Sequence, residues 1–130
     1  MSKTVLVVED DRTISDLIVT LIETEGYETL PAFDGETAVS LAREQKPDLI
    51  TLDLALPKKD GRAVLQALAA DDCTRGIPVG VVSAYTSRLS REDMLRTVFV
   101  IGKPVDVDDF VTKINRVLGN GTIKTAQHNC

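Results

Sequence analysis

The chain lacks several things that would have placed it quickly. No apolar stretch reaches the roughly 18 residues that a bilayer-spanning helix needs, so no membrane partner is expected. There is no basic excess: 15 Lys and Arg against 20 Asp and Glu leave a net charge of −5. A nucleic-acid binder would need a basic face, so that class is excluded. The two cysteines, Cys73 and Cys130, have no metal-ligand spacing and make no disulfide framework, so a reducing, cytoplasmic compartment is the default. The one histidine, His128, sits in a polar stretch and reads as an incidental surface residue rather than a ligand or base. Met1-Ser2-Lys3-Thr4 enters a strand directly, without a signal-peptide pattern. Tryptophan is absent and aromatics make up 4%, but 43% hydrophobic and 27% charged residues over 130 positions are ordinary for one globular domain.

What is present is more specific. Two short apolar runs each end in acid: Val5-Leu6-Val7-Val8 leads into Glu9-Asp10-Asp11, and Leu49-Ile50-Thr51-Leu52 leads into Asp53. Continuous aliphatic runs of this length read as strands buried on both faces of a parallel sheet. Between and after them, strand and helix patterns alternate five times. Ile14, Leu17, Ile18, Leu21 and Ile22 mark a first amphipathic helix, with Asp11 as its cap and Gly26 at its stop. A strand over Glu28–Ala32 and a helix from Asp34-Gly35 to Gln45 follow. Beyond the Asp48–Asp53 strand, a third helix carries Val64, Leu65 and Leu68. Val79–Ser83 and Val98–Gly102 are the last two strands. A short polar helix is expected over Ser87–Arg96, mobile because Leu89, Met94 and Leu95 are its few apolar anchors. A final helix over Asp106–Leu118 buries Phe110, Ile114, Val117 and Leu118. Gly119–Cys130 reads as a mobile tail.

Five β-α units predict a doubly wound parallel sheet with right-handed crossovers, in the common strand order 2-1-3-4-5. That order sets the two acid-tipped strands side by side at the switch point, where ligands of such sheets bind. Crowded carboxylates disfavour joint ionisation, and a divalent cation is the natural compensation. Glu9, Asp10 and Asp53 offer hard oxygen donors suited to Mg²⁺, an ion that typically shares phosphate oxygens with its protein ligands. Ser83 and Lys103 stand at the ends of the fourth and fifth strands. Together the set fits phosphoryl transfer: a carboxylate nucleophile, a cation, an ammonium and a hydroxyl donor. Taken singly, each residue also has a bland reading as helix cap, turn acid, solvated hydroxyl or surface lysine. The joint placement at four strand ends is what carries the inference.

These segments, with Pro57, Asp60-Gly61, Pro78, Ala84 and Lys103-Pro104, strongly resemble the receiver domain of two-component response regulators, the CheY-like family. The resemblance covers residues 3–118 and implies a (βα)5 flavodoxin-like fold, with a receiver domain over 1–118 and a tail over 119–130. It implies Asp53 as phosphoacceptor, and Mg²⁺ held by Glu9, Asp10, Asp53 and the backbone carbonyl of Ala55. Ser83 and Lys103 would contact the phosphoryl group, and Lys103-Pro104 would be cis. The implied function is a stand-alone response regulator, a signalling domain rather than an enzyme. It would be phosphorylated by a sensor histidine kinase or histidine phosphotransfer protein and would switch binding of a downstream protein. Such domains often carry an aromatic three residues before the lysine, where this chain has Val100. A partial likeness to the subgroup with a Pro-Phe-x-Phe-Ala-Thr-Gly-Tyr segment makes Tyr85 the candidate switch aromatic, with Phe99 as competitor. An aspartyl-nucleophile phosphatase would want a second acid where Ala55 stands. A flavin domain would want a phosphate-cradling loop where Asp10-Asp11-Arg12 would repel one.

Overall fold

The computed structural model describes residues 2–119. Five strands, β1 (Thr4–Val8), β2 (Glu28–Ala32), β3 (Leu49–Leu52), β4 (Val79–Ser83) and β5 (Phe99–Gly102), form one sheet. Every pairing is parallel and the order is β2-β1-β3-β4-β5, as the alternation of elements predicts. Five helices alternate with them: α1 (Arg12–Thr24), α2 (Gly35–Gln45), α3 (Gly61–Ala70), α4 (Arg91–Leu95) and α5 (Val107–Leu118). The expected tail falls outside the described residues apart from Gly119, and so do His128 and Cys130.

Each helix starts where a side-chain oxygen meets its orphan amides. Asp11, Asp34, Asp60, Ser90 and Asp106 cap α1 to α5 in turn. Asp11 thus spends its carboxylate on Thr13 and Ile14. Gly26 lies in the left-handed region, φ 93°, just past the end of α1, which is why glycine suits that stop.

The sheet is covered on both faces. One core joins Leu6, Ile50 and Leu52 to Ala38 and Ala42 of α2 and Val64, Leu65 and Leu68 of α3. The other joins Val5, Val7 and Leu49 to Ile18 and Ile22 of α1 and Phe110, Ile114 and Leu118 of α5. Two apolar expectations need correction. Leu17 is exposed, because it lies at one edge of the α1 stripe, beyond the reach of the sheet. The expected Ser87–Arg96 helix is broken into a 3₁₀ turn, Thr86–Arg88, and the five-residue α4, because Ser90 opens a new capping box with Asp93.

Candidate functional site

The strand order reverses between β1 and β3. Val8 pairs with Leu52, so Glu9 and Asp53 leave the sheet next to each other. Backbone bonds continue the ladder past the strand ends: Asp53 N–H donates to the Val8 carbonyl at 3.0 Å, and Lys103 N–H to the Ser83 carbonyl at 3.2 Å. The carboxyl ends of β1, β3, β4 and β5 therefore meet at one edge, as doubly wound sheets build their sites. Lys103-Pro104 is cis.

Lys103 is the hinge of the constellation. Its Nζ donates to Glu9 Oε1 at 2.5 Å and to Asp53 Oδ2 at 3.2 Å. Glu9 is 1% and Asp53 5% exposed, so both carboxylates sit where uncompensated charge is costly. Burial pushes the Glu9 carboxyl up to about 7, the Lys103 bond opposes this, and the Asp53 charge adds to it. Burial would lower the Lys103 ammonium, but its bond to Glu9 and the charge of Asp53 outweigh that and hold it above its ordinary value. Asp10 is exposed, yet oxygens of Glu9, Asp10 and Asp53 all lie within 4.8 Å of one another. These are hard oxygen donors, one of them open to solvent, and they fit a small divalent cation such as Mg²⁺.

Ser83 is fully buried. Its Oγ accepts from Leu54 N–H at 3.4 Å and from Tyr85 N–H at 3.1 Å, which leaves its own proton free to donate. Asp53 Oδ1 accepts from Ala55 N–H at 3.2 Å. The Tyr85 ring is turned outward, with the Arg88 guanidinium 4.1 Å from its centroid. Phe99, the competitor, is buried on the α1–α5 side, over Gly80, where an added Cβ would stand 2.1 Å from its Cζ.

One site-flanking group was missed by sequence reading. Asp93 of α4 is buried and accepts from Arg62 Nε at 2.9 Å, Gln66 Nε2 at 3.4 Å and Ser90 N–H at 3.1 Å. The Ser-x-x-Asp spacing signalled the capping box, but nothing local signalled Arg62. Burial alone would raise the Asp93 carboxyl, yet the bonds from Ser90, Arg62 and Gln66 prevail and hold it down at about 2. A carboxylate held below its ordinary 3.8 stabilises the fold above that pH, and the contribution is lost as pH falls toward 2. Thermal melts between pH 5 and 2 should therefore show a steeper acid-side loss for the unsubstituted chain than for Asp93→Asn. Parallel acid limbs would show that the pair adds nothing.

Residues 5–115 match the response regulator receiver domain family. The polar-differentiation response regulator DivK of Brucella anthropi is 38% identical over 122 residues, covering 92% of this chain and 99% of that protein. A CheY-like receiver domain from Methanospirillum hungatei superposes with a TM-score of 0.80 at 26% identity, over 92% of this chain and 96% of that one. The receiver domain of a sensor histidine kinase from Pseudomonas aeruginosa, with a magnesium ion coordinated in its active-site cleft, gives 0.81 at 26%, over 92% and 99%. The strand order, the acid-tipped β1 and β3 and these matches agree, and the chain belongs to the response regulator receiver domain family.

Proposed function

We propose that this chain is a stand-alone phosphoacceptor switch of a two-component phosphorelay, with Asp53 as the acceptor. The observation that carries the reading is the Lys103 ammonium lying between the buried carboxylates of Glu9 and Asp53. Phosphoryl transfer asks for positioning and charge neutralisation more than for covalent help. A carboxylate oxygen of Asp53 attacks the phosphorus of a phosphohistidine. The O–P bond forms as the N–P bond breaks, and the imidazole leaves neutral, keeping the proton already on its other ring nitrogen and the electron pair of the broken bond. Lys103 offsets charge gathering on the phosphoryl oxygens, and the Ser83 hydroxyl donates to one of them. Glu9, Asp10, Asp53 and the Ala55 carbonyl would hold Mg²⁺, which when bound neutralises phosphoryl charge. The same residues assist the later hydrolysis, so the chain promotes its own phosphorylation and dephosphorylation without being a turnover enzyme.

The donor is a sensor histidine kinase or histidine phosphotransfer protein, and the compartment is the cytoplasm, where ATP charges such donors. The stand-alone reading is supported by relatives matched over 99% of their own length. Modification shifts the population toward a conformer that binds a downstream protein through β5 and its flanking helices. Exposed Met94, Leu95 and Val98 at the α4–β5 edge offer that protein an apolar contact. Tyr85 stands in for the aromatic absent at Val100, because Ser83 Oγ already holds its backbone N–H.

Beryllofluoride, a phosphoryl mimic, tests this with Mg²⁺ present and then chelated. Fluorine NMR should show a bound signal with Mg²⁺ and none in excess chelator, and the Tyr85 ring signals should move on binding. Binding that persists in chelator would remove the metal from the reading. Unmoved ring signals would remove Tyr85 from the switch.

A further inference from the structure

Helix α4 has five residues, far short of the roughly 12–15 at which even favourable isolated helices become marginally stable. Its apolar side chains do not hold it to the body: Met94 is 51% and Leu95 81% exposed. The buried α4 side chain is instead a carboxylate, that of Asp93. Two of its donors, Arg62 and Gln66, come from α3. Arg96, at 3.5 Å, and the Ser90 amide come from the ends of α4 itself. The cross-helix link is therefore polar, and its shortest contact is Arg62 Nε to Asp93 Oδ2 at 2.9 Å.

The other end of that link lies against the acceptor loop. Gly61 N–H donates to the Leu54 carbonyl at 2.9 Å, and a Cβ on Gly61 would stand 2.4 Å from the Asp53 carbonyl oxygen. Arg62 is the next residue, in the first turn of α3, with its N–H on Asp60 at 2.9 Å. Leu54 N–H in turn donates to Ser83 Oγ, the hydroxyl that a phosphoryl group at Asp53 would draw toward itself.

We propose that Arg62 is a positioning residue that ties α4 to the acceptor loop through Asp93, so that the state of Asp53 reaches the α4–β5 edge through the first turn of α3. The inference rests on the phosphoacceptor reading of Asp53. Its physical basis is the cost of leaving a buried carboxylate without its partner, which makes α4 follow the guanidinium when α3 shifts. A hydrogen-bonded pair also senses direction and distance, whereas apolar contacts slide.

The test compares the unsubstituted chain with Arg62→Gln and Arg62→Lys. Arg62 is partly exposed, so both variants are expected to fold. In the free protein, amides of Arg91–Leu95 should exchange about tenfold faster in Arg62→Gln, with α1 unchanged, as for a local opening. Arg62→Lys should recover part of the protection. With Mg²⁺ and beryllofluoride, Arg62→Gln should bind as tightly as the unsubstituted chain and show the same shifts at Asp53 and Ala55, while the α4 amide shifts fall by more than half. Equal α4 protection, or an α4 response equal to that of the unsubstituted chain, would overturn the inference alone. Failure of the unsubstituted chain to bind beryllofluoride would overturn the acceptor reading, and this inference with it.

Discussion

Asp53→Asn should abolish beryllofluoride uptake and phosphoryl incorporation while leaving the fold intact. The amide has nearly the shape of the carboxylate, and its one oxygen can keep either the bond from Lys103, made to Oδ2 of Asp53, or that from Ala55 N–H, made to Oδ1. What it loses is the anionic nucleophile. Removing the nucleophile of a site that acts as a unit typically costs 10³-fold or more in rate, and a loss of at least about that size is expected here. Stability should hold or rise, because the substitution removes one of two buried like charges facing Lys103. Label incorporation by Asp53→Asn at a rate near that of the unsubstituted chain would place the acceptor elsewhere. Thermal melts on the same samples separate loss of chemistry from loss of fold.

The largest effect on stability is expected from Gly61→Ala. Three backbone atoms stand in the way of the new methyl: the Asp53 carbonyl oxygen and Leu54 Cα, each at 2.4 Å, and the Leu54 carbonyl carbon at 3.0 Å. Neither Asp53 nor Leu54 can retreat easily, since Asp53 N–H is bonded to Val8 and Leu54 packs as a fully buried side chain. Overpacking of this kind costs about 3 kcal/mol, which for a domain of this size is a fall of roughly 10 °C in Tm. At Gly80 the obstructing atoms belong to the Phe99 ring instead, a side chain that can move, so Gly80→Ala should be milder. The same change at Gly61 displaces the acceptor loop, so beryllofluoride binding should weaken too. A Tm unchanged to within a degree or two would mean that the loop and α3 are not in rigid contact.

How much of this was legible beforehand depended on the range of the signal. The strands read directly, because β1, β3 and β4 are buried on both faces and so are almost wholly apolar. The Asp11 cap read directly as well, because an N-cap bond closes within three residues, whereas the Ser90 cap that starts α4 did not. Glu9, Asp10, Asp53, Ser83 and Lys103 were legible as a group because the order of alternation implies the sheet topology, and the topology assembles strand ends. α4 was misread at its anchor. Leu89 packs on the core as expected, but Met94 and Leu95 point to solvent and the polar Asp93 points in. Hydrophobic patterning assumes that apolar residues face inward, and it fails where a carboxylate finds a guanidinium to bury against.

The sequence by itself therefore determined the fold class, the starts of α1, α2 and α5 and the membership of the acidic site, since each depends on period, local hydrogen bonding or strand order. Only the tertiary structure decided which partners those groups choose. Lys103 reaches back 94 positions to Glu9 and 50 to Asp53, and Arg62 reaches forward 31 to Asp93. It also decided that Phe99 fills the space over Gly80, leaving Tyr85 as the aromatic beside Ser83. Contacts at such separations are set by packing of whole elements, and no local pattern in the chain encodes them.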